Sequence, residues 1–137
     1  MHLEYTVVEG DFANAGFASS SVKKTLKQLG VNPQIVKRVV VALYEAEVNA
    51  IAHAYGGMIY ADIEPDKIIV KVVDTGPGIP DIDWAMQEGN STASPEVRNM
   101  GFGAGMGLPN IQKNVDKLNV TSTVGVGTTV EMEVNFV

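Results

Sequence analysis

Hydrophobic and polar residues recur along the chain with two different periods, and the changes of period outline its secondary structure. Period-two alternation or a β-branched run indicates a strand, whereas apolar residues three and four apart indicate one side of a helix. The first helix, for example, is expected to bury the side formed by Phe17, Val22, Leu26 and Leu29. The predicted segments are a strand at 3–8, helices at 13–29 and 33–54, strands at 58–63 and 67–73, helices at 82–87 and 108–118, and strands at 120–124 and 128–136.

The order of these segments, β-α-α-β-β-α-α-β-β, predicts an α+β fold. Strands joined by short turns pair antiparallel, and amphipathic helices need a sheet face against which to pack. We therefore expect a two-layer α/β sandwich, with a mixed, mainly antiparallel sheet and the helices on one face. Neither an internal repeat nor a linker divides the sequence, so residues 1–137 are predicted to form one domain.

Charge and composition narrow the classes of partner. The chain has 16 acidic and 10 basic side chains, a formal net charge of −6, and no cysteine. An acidic surface repels phosphate backbones, which argues against nucleic acid, and no apolar run reaches the roughly 18 residues that span a membrane. Without cysteine there are no disulfides or thiolate metal sites, and Glu4 and Glu9 stand where a secretory leader would be basic and apolar. These features predict a cytoplasmic protein.

Three polar residues of the second predicted helix, Glu45, Asn49 and His53, lie four apart and therefore on one side. Asparagine competes with the backbone in a helix, but its amide oxygen suits Mg²⁺, and a carboxylate one turn away could accept a proton. The alternative is an ordinary polar stripe facing solvent, and His53 alone fits a helix end. Glu47 points away from this side and is expected to be solvated.

A carboxylate followed by two glycines, Asp74, Gly76 and Gly78, comes at the end of a predicted strand. There the carboxylate could accept a hydrogen bond from an amino group such as adenine N6. Glycines without a Cβ would let the backbone approach a flat ring. The same composition also makes an ordinary turn without any ligand, so both interpretations remain open.

Four alternating glycines, Gly101, Gly103, Gly105 and Gly107, directly precede the helix predicted at 108–118. Glycine costs backbone entropy on folding, and a nest of N–H groups in front of a helix dipole would hold phosphate oxygens. A flexible hinge is the alternative. The P-loop lysine, the G-x-G-x-x-G register and the protein-kinase signatures are absent, so those nucleotide sites are not supported.

Taken together, these segments resemble the conserved boxes of the GHKL ATPase superfamily, which includes gyrase, Hsp90, histidine kinases and MutL. The similar stretches are Glu45-x-x-x-Asn49 for the N box, Asp74-x-Gly76-x-Gly78 for the G1 box, the run from Gly101 to Gly107 for the G2 box, and Gly125-x-Gly127-Thr128-Thr129 for the closing box. Within the superfamily, residues 45–55 and the short lid at 91–98 resemble the bacterial anti-sigma factor serine kinases and related switch kinases. The resemblance implies a Bergerat-type ATP-binding fold.

The resemblance also implies the cofactors ATP and Mg²⁺ and a role for each candidate residue. Asn49 would ligate Mg²⁺, and Glu45 would act as general base towards a serine hydroxyl of a partner protein. The other implied roles are adenine contact by Asp74 with support from Thr128, cofactor binding by Gly76 and Gly78, phosphate binding by Gly101, Gly103, Gly105 and Gly107, and stabilisation of the γ-phosphate by Arg98 on the lid.

These roles predict an ATP-dependent serine/threonine protein kinase of the anti-sigma factor type. Its expected partners are an anti-sigma-antagonist-like protein, which it phosphorylates, and a sigma factor, and the resemblance favours a homodimer. An ATP-gated protein-binding module with little or no kinase activity needs the same pocket and is the alternative. A structural α+β domain without nucleotide is the third hypothesis.

Overall fold

The computed structural model describes residues 1–8, 10–53, 56–75 and 107–136. The short helix predicted at 82–87 and the short lid at 91–98 lie outside these residues. The described elements are β1 (His2–Val8), a 3-10 turn (Phe12–Asn14), α1 (Phe17–Gln28), α2 (Pro33–His53), β2 (Gly56–Ile63), β3 (Lys67–Asp74), α3 (Gly107–Asn114), β4 (Lys117–Thr123) and β5 (Gly127–Asn135).

The five described strands form one sheet in the order β1-β2-β3-β5-β4. Each neighbouring pair is antiparallel. Since successive strand residues point to opposite faces, one face carries the buried side chains. These are Val7, Ile59, Ala61, Ile63, Ile68, Val70, Val72, Val130, Met132 and Val134. The helices cover this face, which confirms the predicted α+β sandwich.

The second helix, α2, lies at the centre of the helical layer. It packs against α1 and α3 and contacts four of the strands. Its apolar side is buried as the pattern predicts, with Val36, Val39, Leu43, Ala46, Ala50 and Ile51 all in the core. Although α2 has 21 residues, neither it nor another described helix combines the length and apolar character needed to cross a membrane.

The first helix begins four residues later than predicted and buries fewer of the expected side chains. Gly16, with a φ of 95° in the left-handed region, precedes Phe17, the first helical residue. Val22 and Leu26 are fully buried, but Phe17 is 66% exposed and Leu29 is 52% exposed. Phe17 lies about 140° around the helix from Val22, and Leu29 follows the last helical residue, so neither belongs to the buried stripe.

The third helix ends at Asn114, so the prediction of a helix as far as residue 118 is wrong. The backbone N–H of Asp116 already donates to the carbonyl oxygen of Glu133 at 2.9 Å. Two residues later, Leu118 pairs with Met132 across the β4–β5 ladder. Partly buried Leu118 therefore belongs to a strand, because its burial comes from period-two alternation rather than from a helical stripe.

Candidate functional site

Glu45 and Asn49, the first two predicted site residues, lie one turn apart on α2 and are both half-buried. One carboxylate oxygen of Glu45, Oε1, accepts a hydrogen bond from the side-chain nitrogen Nδ2 of Asn110 on α3 at 3.3 Å. The structure therefore brings the polar side of α2 next to the first turn of α3. His53 is the last residue of α2.

Glu47 is not solvated, contrary to the sequence-based expectation. Its side chain is 4% exposed and lies between α2 and α1. Oε2 accepts the backbone N–H of Ala18 at 3.1 Å, and Oε1 accepts that of Ser19 at 3.3 Å. The first turn of a helix has N–H groups without intrahelical partners, and no side chain of the N-cap Gly16 supplies one here. Glu47 fills that role from another helix.

The third helix connects the glycine run to α2. Gly107, the last of the four alternating glycines, is its first residue. Leu108 and Ile111 are buried in the core, which fixes the helix against α2. At the other end, the Nε of Arg38 on α2 donates to the carbonyl oxygen of Asn114 at 3.1 Å. Both ends of α3 are thus held by polar contacts to α2.

Asp74 is the last residue of β3, as the sequence predicts for a strand-end carboxylate. Its Oδ1 accepts the backbone N–H of Thr128 at 3.1 Å. The hydroxyl of Thr128 instead lies 2.9 Å from the Oγ of Ser122 on β4. Thr128 is 7% exposed. Among the described residues, it therefore orients the Asp74 carboxylate through its backbone N–H, while its hydroxyl pairs with Ser122.

Two glycines flank Asp74 because the strands approach it too closely for a side chain. Gly57 on β2 and Thr128 on β5 are its partners in the sheet. A Cβ on Gly57 would collide with the carbonyl oxygen of Val73, and one on Gly127 would collide with that of Asp74. Gly127 also has a φ of 151°, which other residues rarely adopt. Gly127 of the predicted closing box is therefore a glycine for steric reasons.

The two groups of polar residues lie at the same end of the molecule. Only two residues separate His53 from Gly56, so their Cα atoms are within about 11 Å. Asn49 is one turn, about 6 Å, before His53. The backbone N–H of Thr75, next to Asp74, donates to the carbonyl oxygen of Gly56 at 3.0 Å. The end of β3 is thereby joined to the end of α2 through the first residues of β2.

Several predicted site residues lie outside the described residues. They are Gly76, Gly78, Arg98, Gly101, Gly103 and Gly105. Their roles remain predictions. Sequence patterns did not identify Asn110 as the partner of Glu45, or Glu47 as the partner of the α1 backbone. Glu47 does lie four residues from both buried Leu43 and buried Ile51. That spacing is the signal that places Glu47 on the buried stripe.

Among the described residues, three groups on or beside the sheet have pKa values that depart clearly from their ordinary range: His2, Lys67 and Asp116. A hydrogen bond to Glu133 raises the pKa of Lys67. The backbone N–H of Asn135, with help from Arg38, lowers the pKa of the Asp116 carboxyl. Hydrogen bonds to Asp62 and then to Glu4 raise the pKa of His2, whose side chain is 49% exposed. In all three groups the hydrogen-bond partner stabilises the charged form, which raises the pKa of a cation and lowers that of a carboxyl.

The side chains at this end of the molecule fit Mg·ATP by their chemistry. The amide oxygen of Asn49 and the carboxylate of Glu45 are hard oxygen donors that remain partly accessible. Mg²⁺ in nucleotide sites takes one or two protein oxygens, with phosphate and water as its other ligands. The carboxylate of Asp74 adds an acceptor for an amino group at the end of β3.

A layer of helices on an antiparallel sheet, with a carboxylate–amide pair on the central helix, is the arrangement expected of an ATPase domain of the GHKL type. The family comparison agrees, and the chain belongs to the family described as the histidine kinase-like ATPase domain, whose model matches residues 9–134.

Two named relatives are an anti-sigma factor and a protein kinase. An anti-sigma F factor of a Thermoanaerobacter species is 36% identical over 140 residues, which cover 95% of this chain and 94% of that protein. The serine/threonine-protein kinase RsbT of Bacillus subtilis is 31% identical over 115 residues, which cover 80% of this chain and 79% of that protein.

A solved structure shares the fold. The crystal structure of the RsbU and RsbW domains of a Mycobacterium tuberculosis protein matches 98% of this chain with a TM-score of 0.65 and 16% identity. The match spans 32% of that longer chain. The family and the fold expected from the sequence are thus confirmed.

Proposed function

We propose that the protein is an ATP-dependent serine/threonine protein kinase of the anti-sigma factor type. Its substrate would be a hydroxyl-bearing residue of an anti-sigma-antagonist-like protein, and a sigma factor would be a second partner. The proposal rests on the family and on two kinds of relative, anti-sigma F factors and a serine/threonine-protein kinase.

The observation that carries the kinase proposal is the state of Glu45. It is half-buried, its Oε1 is held by Asn110, and this is the single hydrogen bond that it accepts within the described part of the chain. With one oxygen held and no donor on the other among these residues, the carboxylate is suited to take a proton from an approaching hydroxyl. Glu47, two residues away, has both oxygens engaged and could not do so.

The proposed reaction is in-line transfer of the γ-phosphoryl group. The serine oxygen forms a bond to the γ-phosphorus as the bond to the bridging oxygen of ADP breaks, and the serine proton passes to Glu45. When bound, Mg²⁺ would neutralise the charge of the phosphates. Asn49 would hold the ion through its amide oxygen, and Asp74 would fix adenine through its amino group. Phosphate binding by Gly101, Gly103 and Gly105, cofactor binding by Gly76 and Gly78, and the contribution of Arg98 belong to the same proposal.

A labelled-phosphate assay tests this proposal. Wild type, Glu45→Gln and the matched control Glu131→Gln would be incubated with γ-labelled ATP, Mg²⁺ and a purified anti-sigma factor antagonist. Glu131 lies on β5 and pairs with Lys71. We expect label transfer from wild type and the control, and a loss of roughly 10²- to 10⁴-fold in Glu45→Gln.

Two outcomes would contradict the proposal. One is undiminished transfer from Glu45→Gln. The other is nucleotide-dependent capture of the antagonist or of a sigma factor by wild type without any label transfer, which would favour the ATP-gated binding module.

A further inference from the structure

Asn110 is a side chain of α3 that reaches the polar side of α2. It is the fourth residue of the helix and is half-buried. Its neighbours Leu108, Pro109 and Ile111 are buried, so the rotation of α3 about its own axis is fixed by the core. That rotation directs the Asn110 amide to Glu45, where Nδ2 donates to Oε1 at 3.3 Å.

The contact restrains a side chain that otherwise has considerable freedom. A glutamate has three rotatable side-chain bonds, and ordering it costs conformational entropy. Among the described residues, the Asn110 amide is the one group that hydrogen-bonds the Glu45 carboxylate, and this bond restricts its rotamer. A donor on Oε1 leaves Oε2 as the oxygen that can face an incoming hydroxyl.

We propose that Asn110 is a positioning residue for Glu45, an inference that rests on the proposed kinase function. Asn110 acts through the carboxylate and does not touch the reacting atoms. A neutral amide suits this task because it orients the carboxylate without neutralising it, as a lysine would, or repelling it, as an aspartate would.

The location of Asn110 also links two parts of the proposed site. It lies three residues after Gly107, the last glycine of the predicted phosphate-binding run and the first residue of α3. The amide therefore ties the orientation of Glu45 to the position of the helix on which that run ends. A correctly placed α3 and a correctly aimed carboxylate would occur together.

Two substitutions at Asn110 separate positioning from packing. Asn110→Leu keeps nearly the same shape but has no donor, and Asn110→Asp keeps the shape but adds a like charge. Asn119→Leu, on the exposed β4 position 119, is the matched control. The kcat for label transfer to a purified anti-sigma factor antagonist and the affinity for Mg·ATP would be measured for each variant.

We expect kcat to fall roughly ten- to a hundredfold in Asn110→Leu, and further in Asn110→Asp, while the affinity for Mg·ATP stays within about twofold. The control should keep the wild-type kcat. A purely structural role would instead lower both quantities through loss of folded protein.

A double-mutant cycle makes the test specific to the pair. In a Glu45→Gln background, Asn110→Leu should cause no further loss of kcat, because the group that it orients no longer acts. If Glu45→Gln loses transfer but Asn110→Leu keeps the wild-type kcat, the positioning role is wrong and the kinase proposal stands. If Glu45→Gln transfers as well as wild type, both are wrong.

Discussion

The two flanks of α2 each carry a glutamate, and the two carboxylates have different surroundings. On the flank that packs against α1, Glu47 is 4% exposed and accepts two backbone N–H groups. On the flank that packs against α3, Glu45 is half-buried and accepts one side-chain amide. The α1 flank satisfies its carboxylate with fixed backbone, whereas the part of the chain that the structure describes supplies one donor to the carboxylate of the α3 flank.

This difference shows why residue type alone does not identify a site. Burial of a charge is costly unless hydrogen bonds compensate it, and a compensated charge has little capacity left for chemistry. Glu47 has that compensation from Ala18 and Ser19, so its task is to join α1 to α2. Glu45 accepts one hydrogen bond from the described residues, and it is therefore the candidate for proton transfer.

The largest expected effect on stability comes from removing the buried carboxylate of the α1 flank. Glu47→Ala should lower the free energy of unfolding by about 2–4 kcal/mol, because two backbone N–H groups lose their partner in a buried position. Urea unfolding measures this directly. Glu45→Ala should change the free energy of unfolding by less than about 1 kcal/mol.

One result of the unfolding measurements would contradict this comparison. Equal losses from Glu47→Ala and Glu45→Ala would mean that the two flanks do not differ. Glu47→Gln is a useful intermediate, since one amide oxygen can still accept a hydrogen bond, and its loss should fall between those of wild type and Glu47→Ala.

The smallest expected effect concerns the far end of the α3 flank, where Arg38 on α2 lies 3.2 Å from Asp116. The pKa of Asp116 is lowered by the Asn135 N–H and by Arg38. A carboxyl whose pKa is lowered in the folded state stabilises the fold at pH values above its ordinary pKa of about 3.9. This contribution disappears as the pH falls through the folded-state pKa.

Thermal unfolding between pH 5 and strongly acidic pH would measure this contribution. The Tm of wild type should fall more steeply towards acid than that of Asp116→Asn, and the difference should be small because the Asp116 side chain is 33% exposed. Identical acid limbs would show that the Asp116 carboxylate, with its partners Asn135 and Arg38, does not stabilise the fold.

Much of the fold could be predicted because its elements follow local periodicity. The start of α2 at Pro33 and the end of β3 at the predicted strand-end carboxylate both come from patterns within a few residues. The end of α3 was missed because Leu118 fits an apolar position in a helix or in a strand. Its pairing with Met132 depends on a strand that comes later in the chain.

The candidate site was predictable to the same extent, through residues that are close in sequence. Glu45 and Asn49 are recognisable by their spacing of four on one helix. The partners of the two glutamates are not, since Asn110 is 65 residues from Glu45 and the N–H groups that Glu47 accepts are 28 and 29 residues away. No pattern of neighbouring residues predicts that the first turn of α1 is capped by a side chain from α2.

The most direct measurement of the central claim is calorimetric titration of Mg·ATP into wild type, Asn49→Ala and the control Asn119→Ala. Asn49 lies one turn from Glu45 on the same side of α2. We predict that wild type and the control bind Mg·ATP, that Asn49→Ala binds it roughly ten- to a hundredfold more weakly, and that the three bind alike when EDTA removes the metal. Failure of wild type to bind at millimolar Mg·ATP, or equal affinity in Asn49→Ala, would contradict the assignment of this flank as the nucleotide site.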